Sequence, residues 1–362
     1  MHQKLTRRSF LKLTGLGFGS LAAGRWSHLL ETNQVSQPAG FPSGERLGRV
    51  LDGKVEVKIR PDIDSQTVGE LFEDDIVVWL RELVGSRPLW INQRFVETPG
   101  GYIYAPNLQM VRNQPNQPLS TLPNPDGMWV EVTVPYVDLI LANPPPRSPW
   151  LEHTVWPRLY YSQIMWVDQI KIDDNGQILY RLAERYGSFG DIFWAEAEAF
   201  RPLTPDEITP INPGVEEKLV VVDVTYQTLA CYEGDSEVYF CRVSTGPKID
   251  STENPEGKWA TPPGKHTIWR KMFSVHMTGG TTGGGYDLPG IGWTTLFSGQ
   301  GMAIHSTFWH NSYGVPRSHG CVNASPDDAK WVFRWTSPVV PFDVGDLTVA
   351  GGGSTRVLVV EG

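Results

Sequence analysis

Cysteine is scarce in this sequence, with three in 362 residues, and that scarcity excludes a fold held by a disulfide framework. Long apolar runs are missing too. The longest, Leu13 to Ala23, falls short of the roughly 18 residues that a membrane-spanning helix requires. Positive charge is the minority sign, 31 Lys and Arg against 40 Asp and Glu, so the surface repels nucleic acid and anionic membranes. What the chain does hold is 40% hydrophobic residues and 14 Trp, enough to bury real cores. At roughly 100 to 200 residues per domain, its length fits two or three folded domains.

The segment Thr6-Arg7-Arg8-Ser9-Phe10-Leu11-Lys12 resembles a twin-arginine export signal at every position, and a weak hydrophobic region broken by Gly15, Gly17 and Gly19 follows it. Residues 1–30 are therefore expected to be a targeting peptide, which implies an exported protein of the periplasm or cell wall. Its removal leaves 26 basic against 40 acidic residues and no stable membrane span. Residues 31–45 lack apolar periodicity and read as a linker.

The fold class expected is mainly β, with two small modules ahead of a larger β-rich domain carrying one or more short helices. Residues 46–113 contain the short β-rich runs Val55–Ile59, Ile76–Leu80, Leu89–Ile91, Arg94–Val96 and Tyr102–Tyr104. Residues 128–205 repeat the order loosely with Trp129–Val134, Leu159–Val167, Ile178–Tyr180 and Ile192–Trp194. The endings echo each other. Gly101 to Leu108 and Gly190 to Ala197 both put an aromatic-rich strand before a short turn-like segment, which resembles the close of a bacterial SH3-like barrel. Alternation places Trp79, Trp90, Trp166 and Trp194 mostly in module cores.

A proline-rich stretch, Pro202 to Pro213, precedes an abrupt return of strand pattern at Leu219 and marks the start of the last domain, 216–362. Leu219–Tyr232 and Val238–Val243 flank a turn at Gly234 and Asp235 and read as a hairpin. That register sets Cys231 opposite about Val238 and Cys241 opposite about Thr228, which offsets the sulfurs and predicts two buried free thiols. A helix is expected from Ser325 as N-cap, with Pro326 in first position, through Trp335, ended by Pro338.

The chemistry concentrates in Ala303-Ile304-His305-Ser306 and Ser318-His319-Gly320-Cys321-Val322-Asn323. A thiol becomes a useful nucleophile when a base draws off its proton, so a Cys with His residues on neighbouring elements suits acyl transfer. Gly320 removes a Cβ where a carbonyl must approach, and turn amides can stabilise an oxyanion. His266, His276 and His310 lack the spacing of a metal-ligand set, so no metal is expected. The glycines 279–285 are closed by no Gly-Lys-Ser/Thr and make no phosphate loop; no cofactor is expected.

This pattern resembles the L,D-transpeptidase (YkuD-like) catalytic domain, whose signature is a His, a spacer and Ser/Thr-His-Gly-Cys-hydrophobic-Asn/Arg. The resemblance also takes in Val220 to Ala230, Ser244-Thr245-Gly246, Thr261 to Ile268, the helix after the Cys and the closing strand. It implies that Cys321 is acylated, that His305 is the base and that the Ser306 carbonyl orients its ring. The amides of His319, Gly320 and Cys321 would surround the oxyanion, with Ser318 and Asn323 supporting loop and substrate. Lys271 to Thr278 fits a flap, bringing Met277 over the site. Phe297 stands where some relatives place an oxyanion-holding Tyr, and Phe308 and Trp309 with the 279–285 glycines would shape a second cleft. The implied partners are peptidoglycan stem peptides and carbapenem-type inhibitors. Hydrolysis of the same acyl-enzyme, giving L,D-carboxypeptidase activity, and an idle wall-binding protein remain the alternative readings.

Overall fold

Two-residue alternation places Val55 and Val57 of Lys54–Lys58 inward and Lys54 and Glu56 outward. The computed structural model describes residues 40–362 apart from 52, 89–90, 153, 155, 248–258, 280–285 and 351–352. The targeting peptide, most of the linker and Trp90 lie outside the described residues.

In the first module Thr67–Phe72, Lys54–Lys58, Gly101–Tyr104, Arg94–Thr98 and Arg81–Val84 form one antiparallel sheet, and Ile76–Val78, Leu47–Val50 and Leu108–Val111 form another. Val50, Val55, Val96, Ile103 and Leu108 join them in one core. The second module orders Ile140–Leu141, Ile192–Glu196, Ile178–Ala183, Ile164–Ile172, Met128–Val132 and Phe200–Pro202 in an antiparallel sheet, with the pair Tyr136–Asp138 and Arg158–Tyr160 beside it in sequence. Each sheet is open in its hydrogen-bonded order, and the described residues close no barrel.

The echoed endings share a backbone path. Gly101–Tyr104 and Ile192–Glu196 each run into a three-residue 3-10 turn, Ala105–Asn107 and Ala197–Ala199, and leave it as a strand. The residues entering these turns, Tyr104 and Glu196, have φ/ψ of −63°/119° and −61°/122°. Trp79 and Trp166 are buried in cores, whereas Trp194 is half-buried under the Lys171 ammonium, 4.0 Å from the ring centroid. The expected strand Leu159–Val167 is two strands, because Ser162 turns the chain with φ 74°.

In the last domain one sheet runs Ser236–Arg242, Thr228–Glu233, Lys218–Asp223, Arg356–Val360, Gly264–Thr267, and the other Val322–Ala324, Ala303–Ser306, Tyr286–Leu296, Arg270–Gly279, Asp346–Thr348. Arg356–Val360 lies parallel to Lys218–Asp223 and antiparallel to Gly264–Thr267. The hairpin turns at Gly234 and Asp235, but a bulge after Cys231 shifts the register. Cys231 faces Tyr239 and Cys241 faces Leu229, one residue from the expected pairing, and both thiols are free and buried.

The helix Pro326–Trp335 begins as its sequence dictates, with the Ser325 hydroxyl accepting from the Asp328 N–H. Its inner face buries Val332, Phe333 and Trp335 against Phe273 and Trp293. At its far end the buried Lys271 ammonium donates to the carbonyls of Phe333, Thr336 and Pro338 at 2.6, 2.7 and 2.7 Å. Phe333 and Thr336 carry orphan carbonyls of the helix terminus, which the Lys271 amine satisfies although burial pulls its pKa well below the ordinary value.

Both modules brace this domain. Arg49 donates to the Phe308 carbonyl at 2.9 Å and Arg94 to the Asn311 carbonyl at 2.8 Å, which holds loop 307–317 against the first module. Ser274 donates to the Ile164 carbonyl and Gln163 to the Pro289 carbonyl, both at 2.5 Å, so the long hairpin Arg270–Gly279/Tyr286–Leu296 rests on the second.

Candidate active site

Cys321 stands at the entrance to the short strand Val322–Ala324, which pairs in parallel with Ala303–Ser306 so that His305 faces Asn323. This pairing brings the two halves of the sequence pattern into one cleft. The turn before Cys321 needs its glycine: Gly320 has φ 113°, and a Cβ there would sit 2.9 Å from Met302 Cε. Thr261 Oγ1 accepts from the Gly246 N–H and donates to the Gly320 carbonyl, both at 2.9 Å. A Cβ on Gly246 would fall 1.6 Å from the Trp259 carbonyl oxygen, so only glycine lets these segments approach.

Ser318 stitches the turn from within. Its hydroxyl donates to the Cys321 carbonyl and accepts from the Gly320 N–H at 3.1 Å. The Gly320 amide is thereby engaged, which removes one of the three backbone donors expected around an oxyanion.

His305 is buried, and its Nδ1–H donates to the Ser306 carbonyl at 2.9 Å. That bond fixes the tautomer and leaves Nε2 as the acceptor. The Ser306 hydroxyl accepts from the Gly292 N–H at 3.1 Å and anchors the same residue from its other end. Burial lowers the His305 pKa to about 4, opposed by the bond to Ser306. Burial also raises the Cys321 thiol to about 11, opposed by a backbone hydrogen bond with Ala303. At neutral pH both groups rest uncharged.

The cleft over Cys321 has a volume of about 290 Å³. His305, Trp309, Ser318, His319 and Asn323 line it, as does Met277 from the hairpin. The Trp309 ring lies nearly parallel to that of His305 with centroids 5.8 Å apart, and the half-buried His319 ring packs on Trp259 and Tyr286 at 4.2 and 5.1 Å. Asn323 Nδ2 lies 2.8 Å from His310 Nε2, and burial keeps His310 neutral by lowering its pKa well below the ordinary value.

Phe297 is the exception. It does not line the cleft but is buried in the core, its ring 5.5 Å from that of His266. Phe308 also points elsewhere, stacking on Tyr160 at 5.6 Å. The sequence reading missed Tyr286, Leu288 and Arg317, which complete the wall. Tyr286 brings a phenol to the cleft: burial raises its pKa, and a charge on Cys321 would raise it further. Its one sequence signal was its place directly after the glycine cluster, whose residues 280–285 lie outside the described residues.

Among the described residues no group of three or more His, Cys, Asp or Glu is placed to hold a metal ion. His276 is instead clamped between the carboxylates of Glu184, at 2.6 Å, and Asp287. His266 Nε2 lies 2.9 Å from the Pro262 carbonyl.

Cys321 and His305 thus line one cleft, Cys321 beside a glycine turn and His305 with its ring fixed by the Ser306 carbonyl. Residues 217–352 match YkuD, the L,D-transpeptidase catalytic domain. Solved structures similar to the chain include a mutant L,D-transpeptidase of Enterococcus faecium, at 23% identity over 41% of this chain and 51% of that one, with a TM-score of 0.30. Another is an L,D-transpeptidase from Mycobacterium smegmatis, at 21% identity over 53% and 93% of the two chains and a TM-score of 0.31. A third, at 18% identity over 54% and 90% with a TM-score of 0.31, is an LD transpeptidase in complex with imipenem. The match spans about half the length of the enterococcal chain. No curated protein matches the sequence. YkuD-family L,D-transpeptidases are cysteine-dependent acyltransferases, and the YkuD-matching segment here holds Cys321 and His305 in one cleft.

Proposed function

We propose that this protein is an exported L,D-transpeptidase that cross-links peptidoglycan through an acyl-enzyme on Cys321. The observation that carries the reading is that Cys321 and His305 line one cleft of the YkuD-matching domain, with Nε2 left as the acceptor by the bond to Ser306. Because both groups rest uncharged, the Cys321 proton passes to His305 as Sγ attacks the carbonyl of the third, L-centred residue of a donor tetrapeptide stem. The carbonyl oxygen gains the negative charge, and the amides of His319 and Cys321 with the Tyr286 phenol are the donors that stabilise it. Collapse breaks the C–N bond, and His305 returns the proton to the departing D-Ala amine. An amine of a neighbouring stem then attacks the thioester, His305 takes its proton, and Cys321 leaves as the thiol.

In this reading residues 1–30 direct export by the twin-arginine route, and the two N-terminal modules are SH3-like wall-binding units. The shared strand, 3-10 turn and strand at their ends support the second assignment. Mass spectrometry of muropeptides incubated with the mature protein tests the whole. Cross-linked dimers with release of D-Ala are expected to exceed tripeptide. Tripeptide alone at high acceptor concentration would replace transfer with hydrolysis, and no product would leave a wall-binding protein.

A further inference from the structure

A second cavity, of about 470 Å³, opens where the first β module meets the loop ahead of Cys321. It shares the lining residues Trp309 and Arg317 with the Cys321 cleft, so the two spaces lie side by side. Its other wall comes from the first module, chiefly Lys54, Arg87, Asn92 and Tyr104. A neighbouring hollow of about 340 Å³ shares Arg87 and Tyr104 with it and adds the ion pair Lys58–Glu56, 2.9 Å apart.

Two features give this cavity a chemical preference. Among the described residues its lining holds Lys54, Arg87 and Arg317 and neither Asp nor Glu. Lys54 is paired with Glu70 at 2.7 Å on the exposed strand face, while the Arg87 guanidinium lies 3.9 Å from the Tyr104 ring centroid, which holds its plane in place. The second feature is Asn92, 5% exposed. Its Oδ1 accepts from the Arg94 N–H at 3.0 Å, and since that group can only donate, the amide orientation is fixed. Nδ2 is left buried without a partner among the described residues. A buried donor kept unpaired is costly in a native structure and calls for an acceptor from outside.

We propose that this cavity is a second binding subsite, which receives a carboxylate carried by the same peptide whose reacting end enters the Cys321 cleft. The proposal deepens the transpeptidase reading and rests on it for the identity of the peptide. A planar carboxylate matches a guanidinium fork and takes the Asn92 N–H as a further donor, whereas a neutral amide at that point meets three donor-only groups with half the acceptor capacity. The first module thereby supplies part of the substrate site rather than only tethering the enzyme.

The test uses the mature Cys321→Ala protein, which binds without reacting, titrated calorimetrically with a synthetic tetrapeptide stem ending in D-Ala. The stem's side carboxylate is left free in one sample and converted to a primary amide in the other. The free acid is expected to bind about tenfold or more tightly. Adding Asn92→Asp keeps the acceptor that Arg94 needs and places an oxygen where the donor was, so it should erase that preference; Arg87→Gln should reduce it. Thermal unfolding of Asn92→Asp should match that of its parent, which reports on folding, and acylation of the wild-type protein by a carbapenem reports on the cleft separately. Equal binding of acid and amide overturns the subsite, as does an acid preference that survives Asn92→Asp. Failure of the wild-type protein to be acylated overturns the transpeptidase reading instead.

Discussion

Two histidines on one sheet are buried to similar depth and do opposite things. His305 meets only a carbonyl through Nδ1, and burial lowers its pKa to about 4. His276 meets Glu184 from the second module and Asp287 from the next strand. Burial disfavours its charged form, yet the two carboxylates outweigh burial and its pKa is raised. The difference shows what the surroundings select. An imidazole whose charged form two carboxylates favour is a fixed joint between module and hairpin, whereas one that burial keeps uncharged, with a bare nitrogen, is ready to receive a proton.

The sharpest way to break this comparison starts at the thiols. Cys321→Ala should abolish acylation by a carbapenem, while Cys231→Ala and Cys241→Ala should leave it intact, since burial raises both of those thiols far above the ordinary range. Intact-protein mass spectra read this directly, and a full adduct on Cys321→Ala would sink the assignment. Next, His305→Ala should slow acylation about 10²- to 10⁴-fold, as expected for a lost general base. His276→Gln should change that rate little and lower stability instead, by about 3 kcal/mol, because two buried carboxylates lose their cation. If chemical denaturation showed no loss for His276→Gln, the joint would be ornamental. Tyr286→Phe should sit between wild type and His305→Ala, about 10-fold to 10²-fold slower, if the phenol holds the oxyanion.

The smallest effect separates the histidines by pH. The depressed pKa of His305 gives a contribution to stability that is present above pH 6.5 and lost as pH falls towards about 4. The raised pKa of His276 gives one that is fully present below pH 6.5 and lost as pH rises through its folded value. Melting temperature against pH should therefore lose its alkaline-side decline in His276→Gln and keep its acid-side decline. The reverse pattern would exchange the two roles.

The reactive turn was legible in the sequence because its main determinants are local: Ser318, Gly320 and Cys321 lie within four residues, and the Ser318 hydroxyl bonds both of the others. The helix was legible for the same reason, with Ser325 and Pro326 announcing its start. Tyr286, Leu288 and Arg317 were not, because they reach the cleft only through the pairing of a long hairpin and the path of a loop that Arg49 and Arg94 hold from another module. Phe297 was misplaced by analogy of position, since nothing in its neighbours says which face of the strand end it takes. The register of the 228–242 hairpin slipped by one residue because a bulge has no signature in alternation. The SH3-like reading of the modules stays a proposal; the sequences Gly101 to Leu108 and Gly190 to Ala197 announce a turn-like segment after an aromatic-rich strand but not its 3-10 geometry.

The strand Arg356–Val360 lies between Lys218–Asp223 and Gly264–Thr267. Synthesis therefore delivers the outer parts of this sheet long before the piece that belongs in the middle. Until residue 360 has left the ribosome, Lys218–Asp223 presents an uncovered edge of Val220 and Val222 that nothing earlier in the chain can pair, so the domain completes only after translation has passed its last strand. The two N-terminal modules carry no such debt and can fold as they emerge, standing ready to receive the loop and hairpin that they later brace.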